Sequence, residues 1–230
     1  MPVKITGKDI AADARRVFDV VRGGGIAIIH LDVGYAVLAH TADAVRRIYA
    51  TKRRSFDKPT GLLGNHALHE SLHILGARER EMVRRLTHDH DLPIAVIAPY
   101  RQDHPLLASL DPFVHQNAVK NDTLNIMLNA GVLRNAIADL ALAHGVVCVG
   151  SSANVSLSGT KYRLEDVDPE LRAIADVETD YGLSAHHNPQ GLSSTMIDFS
   201  NFRVQRAGAC FESIAQVMRE EFGVELQRPA

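Results

Sequence analysis

Tryptophan is absent from this chain, cysteine occurs twice in 230 residues, and aromatic side chains make up only 5% of it. Two thiols cannot build the disulfide framework of a small secreted domain. Cys148 also lies in the apolar run Val146-Val147-Cys148-Val149, where a buried, inert thiol is expected. No apolar stretch approaches the roughly 20 residues that span a bilayer, and the N-terminus lacks a signal-peptide pattern. A reducing cytoplasm without membrane contact is the expectation. An excess of one charge is missing too, since 25 Lys and Arg stand against 27 Asp and Glu for a formal net charge of -2. Nothing global draws such a chain to nucleic acid, so any RNA contact would need a local basic patch.

What is present is an ordinary globular composition, 46% hydrophobic and 23% charged. It suffices for one α/β domain over residues 1–230 with a substantial core. Apolar periodicity predicts a helix over 9–22, with Ile10, Ala14, Val17, Val20 and Val21 on one side and Gly23-Gly24-Gly25 ending it. Further helices are predicted at 42–51, capped by Thr41, at 66–87 with a break near Gly76, and at 130–144, 168–175 and 211–222. Strands are predicted at 26–29, 35–39, 93–98, 146–149, 195–198 and 202–206. Strands alternating with helices argue for an open, mixed α/β sheet.

Two segments carry the chemistry. Lys52-Arg53-Arg54-Ser55-Phe56-Asp57-Lys58-Pro59 sets cations at the end of the 42–51 helix. Gly150-Ser151-Ser152-Ala153-Asn154-Val155-Ser156 sets small hydroxyl and amide groups after an apolar strand. Alone, a Lys/Arg run is commonly a solvated face and a Ser/Asn loop a plain turn. Paired across a sheet, the cations and the small donors form a cradle for a nucleoside triphosphate.

The pair resembles the YrdC-like family, whose best-known members are threonylcarbamoyl-AMP synthases. The family's Lys-x-Arg-x-x-x-Lys-Pro pattern reads here as Lys52, Arg54, Lys58 and Pro59, and its Ser-Ala-Asn-x-Ser motif as Ser152, Ala153, Asn154 and Ser156. Its Ser-Thr-hydrophobic-hydrophobic-Asp motif reads as Ser194-Thr195-Met196-Ile197-Asp198. Arg206-Ala207-Gly208-Ala209 follows where the family has Arg-Pro-Gly-Ala. The likeness runs from about Gly25 to Ala209. It implies a twisted, open mixed sheet flanked by helices around a positively charged concave cleft. It also implies joining bicarbonate and an amino acid to the α-phosphate of ATP, with Mg2+ and release of pyrophosphate, in tRNA modification. By this resemblance Lys52, Arg54, Ser152 and Asn154 form the catalytic set, with Lys52 on the cationic rim. Lys58, Thr160, Ser194 and Arg206 bind the nucleotide. Longer members carry an extension after the Arg-Pro-Gly motif, so the short tail here implies the single-domain form.

The amino-acid half departs from the family pattern. The family's Pro-Thr-Asp/Glu-Thr-Val-Tyr-Gly turn becomes His30-Leu31-Asp32-Val33-Gly34-Tyr35-Ala36. Asp32 and Tyr35 match, whereas Val33 replaces the threonine beside the substrate. Leu63 stands nearest to a pocket histidine of some members. The Pro-Gly-Pro-x-Thr segment has no counterpart, and the Val-Arg-x-Pro strand does not survive in residues 123–129. Met127 falls where an arginine would clamp the substrate carboxylate, and Arg134, in a predicted helix, is the nearest guanidinium. Asp32, Val33, Tyr35, Leu63 and Met127 are thus the expected substrate pocket, with altered or lost use of threonine. The alternative is that Asn125, Asn129 or His115 holds the same substrate. Two other functions stay open: a nucleotide- or double-stranded-RNA-binding module without turnover, and a carbamoyl-transfer module handling carbamoyl-AMP.

The chain has twelve histidines. His88-Asp89-His90-Asp91 invites a metal reading but brings no further ligands, so a solvated loop and no metal site are expected. His66, His69 and His73 share a helical face, which is expected to be exposed or partner-facing. His186-His187 lies in an Asn/Pro/Gly loop before Ser193, expected to be a mobile lid.

Overall fold

The computed structural model describes residues 3–5, 9–55, 57–155 and 158–229; Phe56 and Ser156 of the two motifs lie outside these. Among the described residues eleven strands form one sheet. They are β1 (Val3–Ile5), β2 (Ala27–Ile29), β3 (Ala36–Ala39), β4 (Gly61–Leu63), β5 (Ile94–Pro99), β6 (Val119–Lys120), β7 (Thr123–Leu128), β8 (Cys148–Ser152), β9 (Val177–Thr179), β10 (Thr195–Asp198) and β11 (Arg203–Arg206). The order across the sheet is β1-β9-β2-β3-β8-β4-β7-β5-β10-β11, with β6 beside β7. The pairs β1/β9, β2/β9, β4/β7 and β5/β10 are parallel. The others are antiparallel, so the sheet is mixed and open, as expected.

The α-helices are α1 (Ile10–Arg22), α2 (Ala42–Thr51), α3 (His66–Leu72), α4 (Ala77–Arg84), α5 (Pro105–Ala108), α6 (Pro112–Ala118), α7 (Val132–Ala143), α8 (Pro169–Ile174) and α9 (Phe211–Phe222). Their ends follow local chemistry. Asp9 accepts from the Ala12 N–H at 3.0 Å to start α1, Thr41 accepts from Ala44 N–H at 3.4 Å to start α2, and Gly76 separates α3 from α4. No helix among the described residues is long and apolar enough to cross a membrane.

Alternation along the strands divides the core in two. Ile26, Ile28 and Val37 join Val45, Ile48, Leu62 and Ile126 in the larger cluster. Ala27, Ile29, Leu38 and Leu63 face the other way and meet Phe18, Val21, Leu133 and Ile137 from α1 and α7.

Three expectations need correction. The strand predicted at 146–149 runs instead from Cys148 to Ser152, because Gly150, Ser151 and Ser152 pair with Leu38, Val37 and Ala36 of β3. The serines therefore belong to the strand. Residues 123–128 do form a strand, β7, with Leu124, Ile126 and Leu128 buried and Thr123, Asn125 and Met127 on the other face. The imidazoles of His69 and His73 are fully buried and hydrogen-bonded to each other, Nδ1 to Nδ1, at 2.9 Å. Their helical face looks inward, since the Leu68 and Leu72 stripe carries them into the core.

That burial has a pH consequence. Desolvation, opposed only in part by Glu70 at His69, pulls His69 down to about 4 and His73 to about 3 from an ordinary 6.5. Both folded values are depressed, so the unfolded chain binds more protons between them and 6.5. Their contribution is complete above 6.5 and is lost as pH falls towards 4 and 3. Urea midpoints measured from pH 7.5 to 4.5 should fall for the wild type. The slope should flatten in the His69→Leu/His73→Leu variant.

Candidate functional site

The Lys52-Arg53-Arg54 run splits in three directions, and the end of α2 explains why. The Arg53 N–H bonds the Ala50 carbonyl and the Arg54 N–H bonds the Tyr49 carbonyl, at 3.1 and 3.0 Å. These are the two bonds of a Schellman ending, which places Arg53 in the left-handed region at φ 48. Lys52, before the reversal, turns inward; it is 1% exposed and its ammonium donates to the Ser152 carbonyl. Arg53 points outward and grips both carboxylate oxygens of Glu170 at 3.0 Å. Arg54 enters a cleft, its Nε donating to the Lys58 carbonyl at 3.1 Å and its Nη2 to the Pro59 carbonyl at 2.8 Å.

The cleft encloses about 160 Å³ on the sheet face that α1 and α7 cover in part; Ile29, Ala36, Leu38 and Leu63 line it and also belong to that smaller core. Its floor is open because Gly61 and Gly150 pair across β4 and β8. A Cβ on Gly150 would stand 2.6 Å from Leu38 Cδ2 and 2.8 Å from the Val37 carbonyl oxygen. One wall is Ser193, Ser194, Met196 and Arg206. Arg206 Nε donates to the Ser194 carbonyl at 2.8 Å and its Nη2 to Ser194 Oγ at 3.0 Å. The β10/β11 register shifts between Met196, opposite Arg206, and Ile197, an irregularity of the kind that re-aims side chains beside sites. Thr195 is structural: its hydroxyl joins the Ala209 carbonyl at 2.9 Å and the Gly208 N–H at 3.1 Å, stitching the two C-terminal motifs together.

The described residues lining the cleft include three arginines, Arg54, Arg134 and Arg206, and no Asp or Glu. Burial, and then the Arg54 charge nearby, lower Arg206 below its ordinary value. Like-charged guanidiniums this close, bonded only to carbonyl and hydroxyl oxygens, are an arrangement that awaits an anion. No carboxylate is among the described residues that line the cleft, so these residues do not make a magnesium site of their own.

Of the expected catalytic set, Arg54 and Ser152 line the cleft. Lys52 is not on the rim: it and Asn154 stand behind Ser152, whose hydroxyl donates to Asn154 Oδ1. Of the expected nucleotide set, Ser194 and Arg206 line the cleft. Lys58 is exposed outside it and contributes only its carbonyl, taken by Arg54 and the Tyr49 hydroxyl. Thr160 packs its methyl on Gly34, where an added Cβ would lie 2.2 Å away.

Of the expected substrate pocket, Tyr35, Leu63 and Met127 line the cleft, although the Tyr35 hydroxyl is turned to the Gly182 carbonyl at 3.1 Å. Val33 is fully buried in the smaller core, and Asp32 lies against Gly131 outside the cleft. Asn129 donates to Asp91 at 2.9 Å and His115 meets the Tyr100 hydroxyl at 3.3 Å, so neither reaches the site. Asn125 does line it. Arg134 lines it too, although it was expected only as the nearest guanidinium. The sequence signal was available: Arg134, Ile137, Ala138 and Ala141 fall on one helical face, an arginine within an apolar stripe.

Within the His88–Asp91 segment Asp89 is ion-paired with Arg84 and Arg85, and His90 Nε2 is hydrogen-bonded to Glu221 at 2.6 Å. No cluster of metal-binding side chains occurs among the described residues. Cys148 is fully buried, which pushes its thiol up to about 12. The backbone N–H of His186 bonds the Asp32 carbonyl at 2.7 Å, which ties the loop before Ser193 to the start of the cleft.

Lys52 gives a second pH handle. Burial first, then the Arg54 charge, bring its ammonium from 10.5 down to about 7. Its folded value is depressed, so its stability contribution is complete above 10.5 and lost as pH falls through about 7. Relative to Lys52→Met, the wild type should gain stability between pH 7 and 9.5 in urea titrations. Parallel pH dependence in the two proteins would contradict the buried placement.

A family model described as "Sua5_yciO_yrdC: Telomere recombination" matches residues 19–208. The chain belongs to the Sua5/YciO/YrdC family. Among solved structures it resembles a hypothetical protein, smu.1377c, from Streptococcus mutans UA159, at 18% identity and a TM-score of 0.81, covering 99% of this chain and 98% of that one. It also resembles P. abyssi Sua5 complexed with L-threonine, at 19% identity and a TM-score of 0.76, over 99% of this chain and 62% of that one. E. coli YciO matches at 16% identity and a TM-score of 0.61, over 86% and 88% of the two chains. At these identities the likeness establishes the fold. No curated protein matches.

Proposed function

We propose that the cleft binds ATP through its phosphates and forms a carbamoyl-adenylate from bicarbonate and an amino acid, as a step in tRNA modification. The observation that carries this reading is the convergence of Arg54 and Arg206 on a cleft without a carboxylate. The amine of the amino acid bonds to the bicarbonate carbon and water leaves. A carbamate oxygen then attacks the α-phosphorus, and pyrophosphate departs with the electron pair. Arg54 and Arg206 hold phosphate oxygens and offset the charge that develops on pyrophosphate. Ser194 Oγ accepts from Arg206, which leaves its O–H to donate to phosphate. Lys52 and Asn154 position the end of β8 through Ser152 and do not touch the nucleotide. Any magnesium enters as Mg·ATP, held by phosphate oxygens and water. Family membership and the threonine bound to P. abyssi Sua5 support an amino-acid co-substrate.

Calorimetric titration with Mg·ATP tests the placement. Arg54→Ala should weaken binding by about 1.5–3 kcal/mol, the range for hydrogen bonds to charged groups. Lys58→Ala should change it by less than about 0.5 kcal/mol, as an exposed substitution does. Equal losses in the two variants would move the phosphates out of the cleft and onto the loop.

A further inference from the structure

A second cavity, of about 350 Å³, is lined from the start of α3, from α7, and from the π-helical turn Arg85–Asp89 that follows α4. Single π turns of this kind frequently mark functional sites. Arg134 lines this cavity and the cleft alike, and it is 2% exposed. Burial lowers its guanidinium to about 9 from 12.5, against the pull of Asp139, and it forms no ion pair with a described residue. Its Nη1 donates to the Gly64 carbonyl at 2.5 Å and to Asn135 Oδ1 at 3.4 Å, and its Nη2 donates to the Met127 carbonyl. Those three acceptors do not use up the five N–H groups of a guanidinium. The imidazoles of His66 and His88 line the same cavity with their ring centroids 4.3 Å apart. Their nitrogens have no hydrogen-bond partner among the described residues, nor has Asn135 Nδ2. Burial first, then the His88 charge, hold His66 down at about 4, so at neutral pH it is uncharged with one N–H to donate. Among the described residues one carboxylate lines the cavity, Asp139, which is exposed and accepts from Asn65 Nδ2 at 2.6 Å.

A buried guanidinium without a counter-charge, set among unused amide and imidazole N–H groups, is complementary to a small oxoanion. A metal ion would stand against the guanidinium charge, and no three metal-binding side chains gather here among the described residues. We propose that this cavity binds a free phosphate-type oxoanion, orthophosphate or pyrophosphate, through Arg134, Asn135, His66 and His88. Because Arg134 lines both cavities, an anion held here takes up guanidinium charge that would otherwise act in the cleft. The two sites therefore oppose each other, and the effect is reciprocal. The anion site stands independently of the carbamoyl-adenylate reading. Its coupling to ATP rests on that reading, and makes pyrophosphate an inhibitor of the reaction that releases it, acting from outside the cleft.

The test is calorimetric titration of orthophosphate and of pyrophosphate into a protein whose cleft has lost its phosphate-facing pair, Arg54→Ala/Arg206→Ala, with Arg54→Ala alone serving if the double variant does not fold. At least one of the two anions should still bind at millimolar concentration or below, and comparing them tells which is preferred. Adding His88→Ala or Asn135→Ala to that background should weaken the anion about tenfold each, as the loss of a charge-assisted hydrogen bond does. In the wild type, saturating orthophosphate should weaken Mg·ATP binding at least about fivefold, and in His88→Ala/Asn135→Ala it should do so far less. No anion binding to the cleft variant, or binding that both cavity substitutions leave unchanged, would overturn the site. An equal effect of orthophosphate on Mg·ATP binding in the wild type and in the cavity variant would overturn the coupling. Failure of the wild type to bind Mg·ATP would sink the adenylate reading and the coupling with it, and the titrations without ATP would still decide the anion site.

Discussion

Replacing both Arg54 and Arg206 with alanine is expected to remove ATP binding, weakening it by roughly a hundredfold to ten-thousandfold. Each guanidinium stands to make charge-assisted bonds to phosphate worth about 1.5–3 kcal/mol. They are close enough that the Arg54 charge lowers Arg206 below its ordinary value. Their effects should therefore couple rather than add. The anion relieves their mutual repulsion, and removing either arginine forfeits that relief, so the two single losses should sum to more than the double variant loses. Arg206 also anchors the Ser194 carbonyl and hydroxyl, which makes a thermal melt a necessary companion measurement. A double variant that melts like the wild type and binds Mg·ATP within threefold of it would place the nucleotide elsewhere.

L-Threonine is expected to support pyrophosphate release less well than the best amino acid, by up to about a hundredfold, the most that an apolar pocket discriminates against a side chain that adds a hydroxyl. Leu63 and Met127 line the cleft and offer nothing to a hydroxyl, and Val33 is buried away from it. Arg134 puts a cation in the cleft for a carboxylate. Release assayed with ATP, bicarbonate, magnesium and saturating L-threonine, beside a known synthase, measures this directly. Threonine-dependent release matching the control would mean that the hydroxyl finds a partner in the cleft.

Much of the fold could be read from the chain because its signals are local. Asp9 and Thr41 cap the helices they precede, Gly76 breaks the long helical stretch, and the apolar runs at 26–29 and 35–39 became β2 and β3. The brief strands β4, β6 and β9 and the short helices α5 and α6 carry too few residues for a period to show. In β7 the alternation was present but mixed with Asn and Thr, and only pairing with β4 and β5 settles it as a strand.

The site was legible to the same depth. Arg54, Ser152, Ser194 and Arg206 converge as their motifs implied, whereas Lys52 and Lys58, equally cationic, do not. What separates Lys52 from Arg54 is the left-handed turn at Arg53, a backbone event that a run of Lys and Arg does not announce. His69 and His73 were misplaced because the helical wheel shows which residues share a face, and tertiary packing decides which way that face looks.

The most direct measurement is pyrophosphate release from Mg·ATP and bicarbonate with each of the common amino acids, run in parallel on the wild type and on Arg54→Ala/Arg206→Ala. Release that depends on at least one amino acid in the wild type and is absent from the double variant is the expected result. No amino-acid-dependent release from the wild type, or equal release from the double variant, would contradict a carbamoyl-adenylate-forming site in this cleft.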